Sequence, residues 1–202
     1  RDFVGSRGLG DVYKRQGIGA SLCKAFPIQE MIILPSPSAL SLACARMGWP
    51  HQDVELVTLH GRPLAILRSY LQPLAKIVVL SNDENSPREV AELLTEQGFG
   101  NSQITVLEHM GGSSERRIDG IARSWSEKPG AGFNTIAIEI LSSPETVLMT
   151  RHPGLEDDLF INDGMLTKKE VRAITLSALQ PYPGSLLWDC LLYTSDAADD
   201  RL

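Results

Sequence analysis

Residues 31–50 read Met-Ile-Ile-Leu-Pro-Ser-Pro-Ser-Ala-Leu-Ser-Leu-Ala-Cys-Ala-Arg-Met-Gly-Trp-Pro, and the fold follows from how this stretch divides. Met31 to Leu34 is an apolar run with the length and β-branched content of a buried strand. Pro35-Ser36-Pro37 ends it, because proline donates nothing to a ladder and restricts the residue before it. Ser38 stands where a helix N-cap belongs, Ala39 to Met47 are good helix formers, Gly48 is a natural stop and Pro50 forbids continuation. Strand, tight polar turn, helix is the unit of an open α/β sheet, and ligands bind at such turns, beyond the carboxyl ends of strands. The helix N-terminus there offers unpaired N–H groups. An ordinary capped connection and a ligand-binding turn are both open on this pattern alone.

The rest of the chain extends that alternation. Glu55 to Leu59 reads as a strand, Pro63 to Leu71 as a helix, and Lys76 to Leu80 as a buried strand leaving through Ser81-Asn82-Asp83. Ser86-Pro87-Arg88-Glu89 has the form of a capping box with proline at the first helical position, and its helix runs to about Gln97 before Gly98. Ile104 to Leu107 is a strand, Arg116 to Trp125 a short helix, and Asn134 to Ile140 the last strand of this unit. Ser21 to Phe26 reads as the end of a helix. The alternation predicts an α/β sheet. A linker rich in proline, glycine and acid follows over residues 144–165. Thr167-Lys168-Lys169-Glu170 opens a second capped helix to about Leu179, and Leu186 to Asp189 begins a new strand.

Composition narrows the function. An apolar fraction of 43% with 22% charged residues is that of a globular chain. No apolar run approaches the roughly 20 residues of a membrane helix. A net charge of −6 with no basic tract argues against nucleic-acid binding. Cys23, Cys44 and Cys190 form neither a metal signature nor a disulfide framework, which fits a reducing cytoplasm, and Cys44 reads as a core residue. P-loop, nucleophile elbow and metal-ligand clusters are absent, and His51, His60, His109 and His152 are scattered.

Motifs stand in order along the chain, beginning with Pro35-Ser36-Pro37-Ser38-Ala39-Leu40-Ser41, Ala43-x-Ala45-Arg46-Met47-Gly48-Trp49-Pro50, Asp53-Val54-Glu55 and His60-Gly61-Arg62-Pro63. They continue in Leu107-Glu108-His109-x-Gly111-Gly112-x-x-Glu115-Arg116-Arg117 and Asn134-Thr135-Ile136-Ala137-Ile138-Glu139. They end in Asp163-Gly164-x-Leu166-Thr167-Lys168-x-Glu170-Val171-Arg172-Ala173 and Leu187-Trp188-Asp189. In that order they resemble the tetrapyrrole methylase family, in its two-domain members that act in cobalamin synthesis. The implied fold is an incomplete tetrapyrrole methylase domain over residues 17–143, then the start of a class-I Rossmann-like methyltransferase domain over residues 166–189. Residues 1–16 and 190–202 do not read as protein of this family and resemble translated adapter sequence, and with Arg1 in first place the chain reads as an internal fragment.

The implied activity is S-adenosylmethionine-dependent methylation of precorrin at ring carbons 5 and 15, with decarboxylation of an acetate side chain; the fragment itself is expected to be inactive. Alternatives are another corrin-ring methylase and a metabolite-binding module without chemistry. By motif, Gly17 and Gly19 match the tail of a glycine-rich donor loop, Ser38 and Ala39 the turn that meets the donor, and Leu80 and Ser81 a strand exit beside the adenosine. Glu108, His109, Asn134 and Ile136 match later donor-side loops. For Ser38 an N-cap is the other reading, and the two roles are compatible; for Asn134 a turn residue at a strand start is an equally open reading. The precorrin substrate is edged with carboxylates, so Arg62, Arg116 and Arg117 are candidates to pair with them, against plain solvated charge. Lys168 and Arg172 stand four apart in the second segment, as surface charges or as its substrate contacts. Catalytic residues carry no signature, no metal is expected, and a homo-oligomer is open. In the second segment Cys190-Leu191-Leu192 stands where a glycine-rich donor loop is expected after Trp188-Asp189, so that centre is expected to be incomplete.

Overall fold

The computed structural model describes residues 22–32, 36–126, 130–144, 146, 148–150, 152–182 and 185–186. Its centre is a five-stranded mixed sheet in the order β1-β2-β5-β3-β4. The strands are β1 (Val54–Thr58), β2 (Lys76–Leu80), β3 (Gln103–Glu108), β4 (Arg116–Ile121) and β5 (Asn134–Glu139). β1 and β2 are parallel, β5 runs antiparallel between β2 and β3, and β3 and β4 form an antiparallel pair.

The apolar runs of β2, β3 and β5 are explained by cover on both faces. Side chains alternate along a strand, so Ile77, Val79, Ile104, Val106, Ile136 and Ile138 share one face. There they pack with Leu67, Leu71, Phe99 and with Val90, Ala91, Leu93 and Leu94 of helix α2 (Ser86–Glu96). Val78 and Leu107 share the other face and pack under Ala43 of helix α1 (Ala39–Met47). Each fully buried valine, leucine, isoleucine or phenylalanine among them contributes about 1.5–3 kcal/mol relative to exposure.

The anchor helix forms as its sequence predicts. Ser38 is the N-cap and its hydroxyl oxygen accepts from the Ser41 amide at 3.1 Å. Gly48 closes the helix at φ +66°, where a side chain would be strained. Cys44 is 3% exposed, a core residue as expected, and burial raises its thiol pKa.

Several expectations are corrected. The run at 31–34 is not a strand where it is described: Met31 and Ile32 lie outside any strand, and Ile32 is 85% exposed. An apolar run becomes a strand only by pairing, and among the described residues nothing pairs with it; Ile33 and Leu34 lie outside the described residues. The segment Leu64–Tyr70 is a 3-10 helix, not an α-helix, with Leu67 alone buried. Residues 116–125 are not a helix: they form edge strand β4 and a 3-10 turn over Ala122–Ser124. There Ile118 pairs with Val106, and Thr105 donates to the Asp119 carboxylate at 2.6 Å.

Neither capping box forms. Ser86 lies inside α2, and Asp83 caps it instead, its carboxylate accepting from the Asn85 and Ser86 amides at 2.8 and 3.1 Å. Helix α3 (Lys169–Leu179) has Lys168 at its N-cap with no side-chain cap bond, since a lysine ammonium carries only donors, and the Thr167 carbonyl accepts from Arg172. Leu22 is helical but residues 23–25 turn, so the helix expected to reach Phe26 stops at Leu22, and Ser21 lies outside the described residues. Leu186 is outside any strand, and residues 187–189 of the predicted strand lie outside the described residues.

The chain divides into two compact units at the step from Met149 to Thr150. The first contains the sheet. In the second, Arg172 donates to the Asp157 carboxylate and the Leu155 carbonyl and lies over the Phe160 ring at 4.7 Å. Among the described residues no helix is long and apolar enough to cross a membrane.

Candidate functional site

The sheet register collects most of the candidate residues at one edge. Thr58 pairs with Leu80, Leu80 with Thr135, and Glu108 with both Asn134 and Arg116. The carboxyl ends of β1, β2 and β3 therefore lie beside the starts of β4 and β5. Arg62, four residues past β1, follows the same edge and is exposed. Helix α1 points its N-terminus that way: Trp49, beyond its far end, lies under Lys76 at the start of β2, whereas Leu42 reaches the Gly111 position beyond the end of β3. Ser38, Ala39, Leu80, Ser81, Glu108, His109 and Asn134 thus share one end of the unit. Ile136 does not present its side chain there; it is fully buried on the α2 face. Gly17 and Gly19 lie outside the described residues.

Asn134 joins three segments of that edge. It is 4% exposed, its amide oxygen accepts from the Ser81 hydroxyl, and its nitrogen donates to the carbonyls of Asp83 (3.1 Å) and Ala131 (2.8 Å). A buried amide is costly unless bonded, and here each polar atom is used.

Glu108 does the same with charge. Its carboxylate, almost wholly buried, accepts from Arg116 Nε at 2.8 Å and from the Ala131 amide at 2.8 Å. Burial pushes its pKa up, but the Arg116 and Ala131 hydrogen bonds and the nearby charges of Arg116 and His109 outweigh that, and the net value lies below the ordinary range. Gly130 is required beside it, since a Cβ there would stand 2.0 Å from Glu108 Oε1. Glu108 and Asn134 line a small hollow together with Val106, Ile118, Trp125 and Arg88.

His109 adopts φ +48°, left-handed for a residue with a side chain, and its ring stacks on Phe133 with centroids 5.8 Å apart. Arg116 and Arg117 are exposed at the surface but already paired: Arg116 holds Glu108, and Arg117 holds Asp119 at 2.9 Å and donates to the Arg46 carbonyl. Lys168 is exposed in the second unit, where Arg172 is bound as described. Among the described residues no group of three His, Cys, Asp or Glu is placed to hold a metal.

Three features were not assigned a role from sequence: the Phe133 stack, the Gly130-Ala131 approach to Glu108, and an ion pair between Arg46 and Glu115. The last joins residues 69 apart in the chain. Its only sequence signal is that both residues stand inside motifs of the resemblance, which says nothing of their pairing.

Comparison with known proteins gives the chemistry a context. A family model described as a precorrin methyltransferase domain matches residues 158–191. The chain is homologous to proteins named precorrin-6Y C(5,15)-methyltransferase (decarboxylating). It is 44% identical over 173 residues to the one from Sinorhizobium sp, covering 86% of this chain and 42% of that protein. It is 41% identical over 177 residues to the one from Mycobacterium tuberculosis (strain ATCC 25618 / H37Rv), covering 86% and 43%. The chain therefore spans less than half the length of these relatives. Among solved structures, a cobalamin biosynthesis precorrin-6Y methylase from Archaeoglobus fulgidus overlaps with a TM-score of 0.38 and 22% identity, over 56% of this chain and 54% of that one.

Proposed function

We propose that this chain is part of an S-adenosylmethionine-dependent C-methyltransferase of cobalamin synthesis, which methylates precorrin at ring carbons 5 and 15 and decarboxylates an acetate side chain. The sheet unit would contribute to one methylation, and the segment after Met149 would open the second methyltransferase domain. The observation that carries this reading is the identity to the two-step enzymes along 86% of the chain. The family-model match at residues 158–191 supports the second domain.

Methyl transfer from a sulfonium is a displacement: the ring carbon's electron pair forms the new carbon–carbon bond while the sulfur–methyl bond breaks and its pair returns to sulfur. At a ring carbon that bears hydrogen, the methylated ring then gives up that proton to solvent, and the protein's main task is to align donor and ring carbon and to exclude water. The edge suits that task. Ser81, Asn134 and Glu108 use their polar atoms within the chain, so they act by fixing the backbone of the three loops that would meet the donor. Arg116 and Arg117 are bound to carboxylates, which leaves the edge poorly matched to a polyphosphate and better matched to a nucleoside bearing a sulfonium. Gly17, Gly19, Ser38, Ala39, Leu80, His109 and Ile136 complete the donor side by motif. Arg62, exposed at the same edge, is the candidate for a substrate carboxylate. The same reading places the enzyme in the cytoplasm with a tetrapyrrole partner, and the charge of −6 supports a partner other than nucleic acid.

The test is a graft. The aligned residues of this chain replace their counterparts in the Sinorhizobium enzyme, and the chimera is given precorrin-6Y and the donor. The expected product, by mass spectrometry, has gained two methyl groups and lost one carbon dioxide. A chimera that folds, judged by its circular dichroism and melting, but neither binds S-adenosylhomocysteine nor transfers methyl overturns the reading.

A further inference from the structure

We propose that Arg46 and Glu115 are positioning residues that set the distance between the two walls of the donor site; this rests on the methyltransferase reading above. One wall is helix α1, which carries Ser38 and Ala39. The other is the loop after β3, which carries His109 and Met110. No ladder joins them. They are joined by one side of α1, where Leu42 and Arg46 stand a helical turn apart. Leu42 meets the loop at Gly111. Arg46 clasps Glu115 with two nitrogens, Nε to one oxygen and Nη2 to the other at 2.9 Å.

The same carboxylate fixes the loop internally, accepting from the Gly111 amide at 2.8 Å. The Gly112 amide donates to the His109 carbonyl at 2.9 Å, closing the turn. On the helix side, Arg117 of β4 donates to the Arg46 carbonyl at 3.2 Å. Two-point geometry fixes direction as well as distance. Arg46 holds the Glu115 carboxyl down at about 2, so the pair stays charged throughout the physiological range.

The pair is half-exposed, with side-chain exposures of 41% and 27%. Pairs so placed add little to global stability, so the network's effect is local geometry. That separates it from a structural role. In the active graft, Arg46→Ala and Glu115→Ala are expected to raise the donor KM and the dissociation constant for S-adenosylhomocysteine about tenfold, while kcat and the precorrin KM stay within about twofold. Arg46→Lys, which keeps charge but not the two-point clasp, is expected to recover only part of the loss. The melting temperature is expected to hold. By hydrogen exchange, the Gly111 and Gly112 amides should open faster in both alanine variants.

A working wild-type graft whose alanine variants keep their donor affinity and their Gly111 exchange overturns the proposal alone. So does a variant that only lowers the melting temperature. A wild-type graft that binds no S-adenosylhomocysteine overturns the reading and the proposal with it.

Discussion

Helices α2 and α3 are each 11 residues long and each carries apolar residues at helical spacing, yet they end differently. In α2, Val90, Ala91, Leu93 and Leu94 are buried against the sheet. In α3 no residue is buried, and Val171, Ile174 and Leu179 are 51%, 69% and 48% exposed. The sequence period states which face of a helix wants cover; it does not state what covers it. In α2 that cover is the sheet, three of whose strands come after α2 in sequence. In α3 the side bearing Arg172 and Ala173 is the one used, against the loop at residues 154–157.

The comparison breaks most visibly on paired truncations. Leu94→Ala empties a fully buried site and is expected to cost about 2–5 kcal/mol in urea unfolding of this chain. Ile174→Ala removes an exposed side chain and is expected to stay within about 0.5 kcal/mol. Equal losses at the two sites would mean that α3's apolar face is covered after all.

Ion pairs sharpen the same contrast at smaller scale. Glu108 is nearly buried beside Arg116, whereas Glu156, which Lys169 holds in the second unit, is 63% exposed. Arg116→Ala leaves a buried carboxylate with one backbone donor and is expected to cost about 1–3 kcal/mol. Lys169→Ala, at an exposed pair, is expected to leave the urea midpoint nearly unmoved. The pH dependence follows from the sign of the shift. Glu108 titrates below its unfolded value, so its contribution is complete above roughly pH 4.3 and is lost as pH falls through the folded value. Urea midpoints between pH 7 and 3 should fall less steeply in Arg116→Ala than in the parent; parallel curves would remove Glu108 as the cause.

What could be read from sequence tracks this division. β2, β3 and β5 were legible within a residue because their apolar runs are covered on both faces, and α1 because Ser38 and Gly48 mark its ends chemically. β4 was misread because Arg116-Arg117-Ile118-Asp119-Gly120-Ile121 is an edge strand. Its alternation is of charge with small or apolar groups, and its support comes from Thr105 and from Trp125 packed on Gly120. The 31–34 run had strand composition, but pairing is a property of neighbours, not of the run. At the site, the loops that share an edge follow from the rule about carboxyl ends. The Arg46–Glu115 clasp does not, since no periodicity links positions 69 apart.

Caps give the smallest and most local version of the contrast. α1 has a working N-cap in Ser38, and α3 has none at Lys168. Ser38→Ala leaves the Ser41 amide without its acceptor and is expected to cost about 1 kcal/mol. Lys168→Asp should act the other way, since an aspartate there accepts from the first amides of α3 and complements the helix dipole, a gain of about 0.5 kcal/mol. The two effects should register differently. Loss at Ser38 should appear in the urea midpoint, because α1 is packed on the sheet through Ala43. Gain at Lys168 should appear as added far-ultraviolet helicity with the midpoint unmoved, because nothing in α3 is buried. A shifted midpoint in Lys168→Asp would mean that α3's formation is coupled to the sheet unit's folding, and the contrast between the two helices would then be one of exposure only, not of stability.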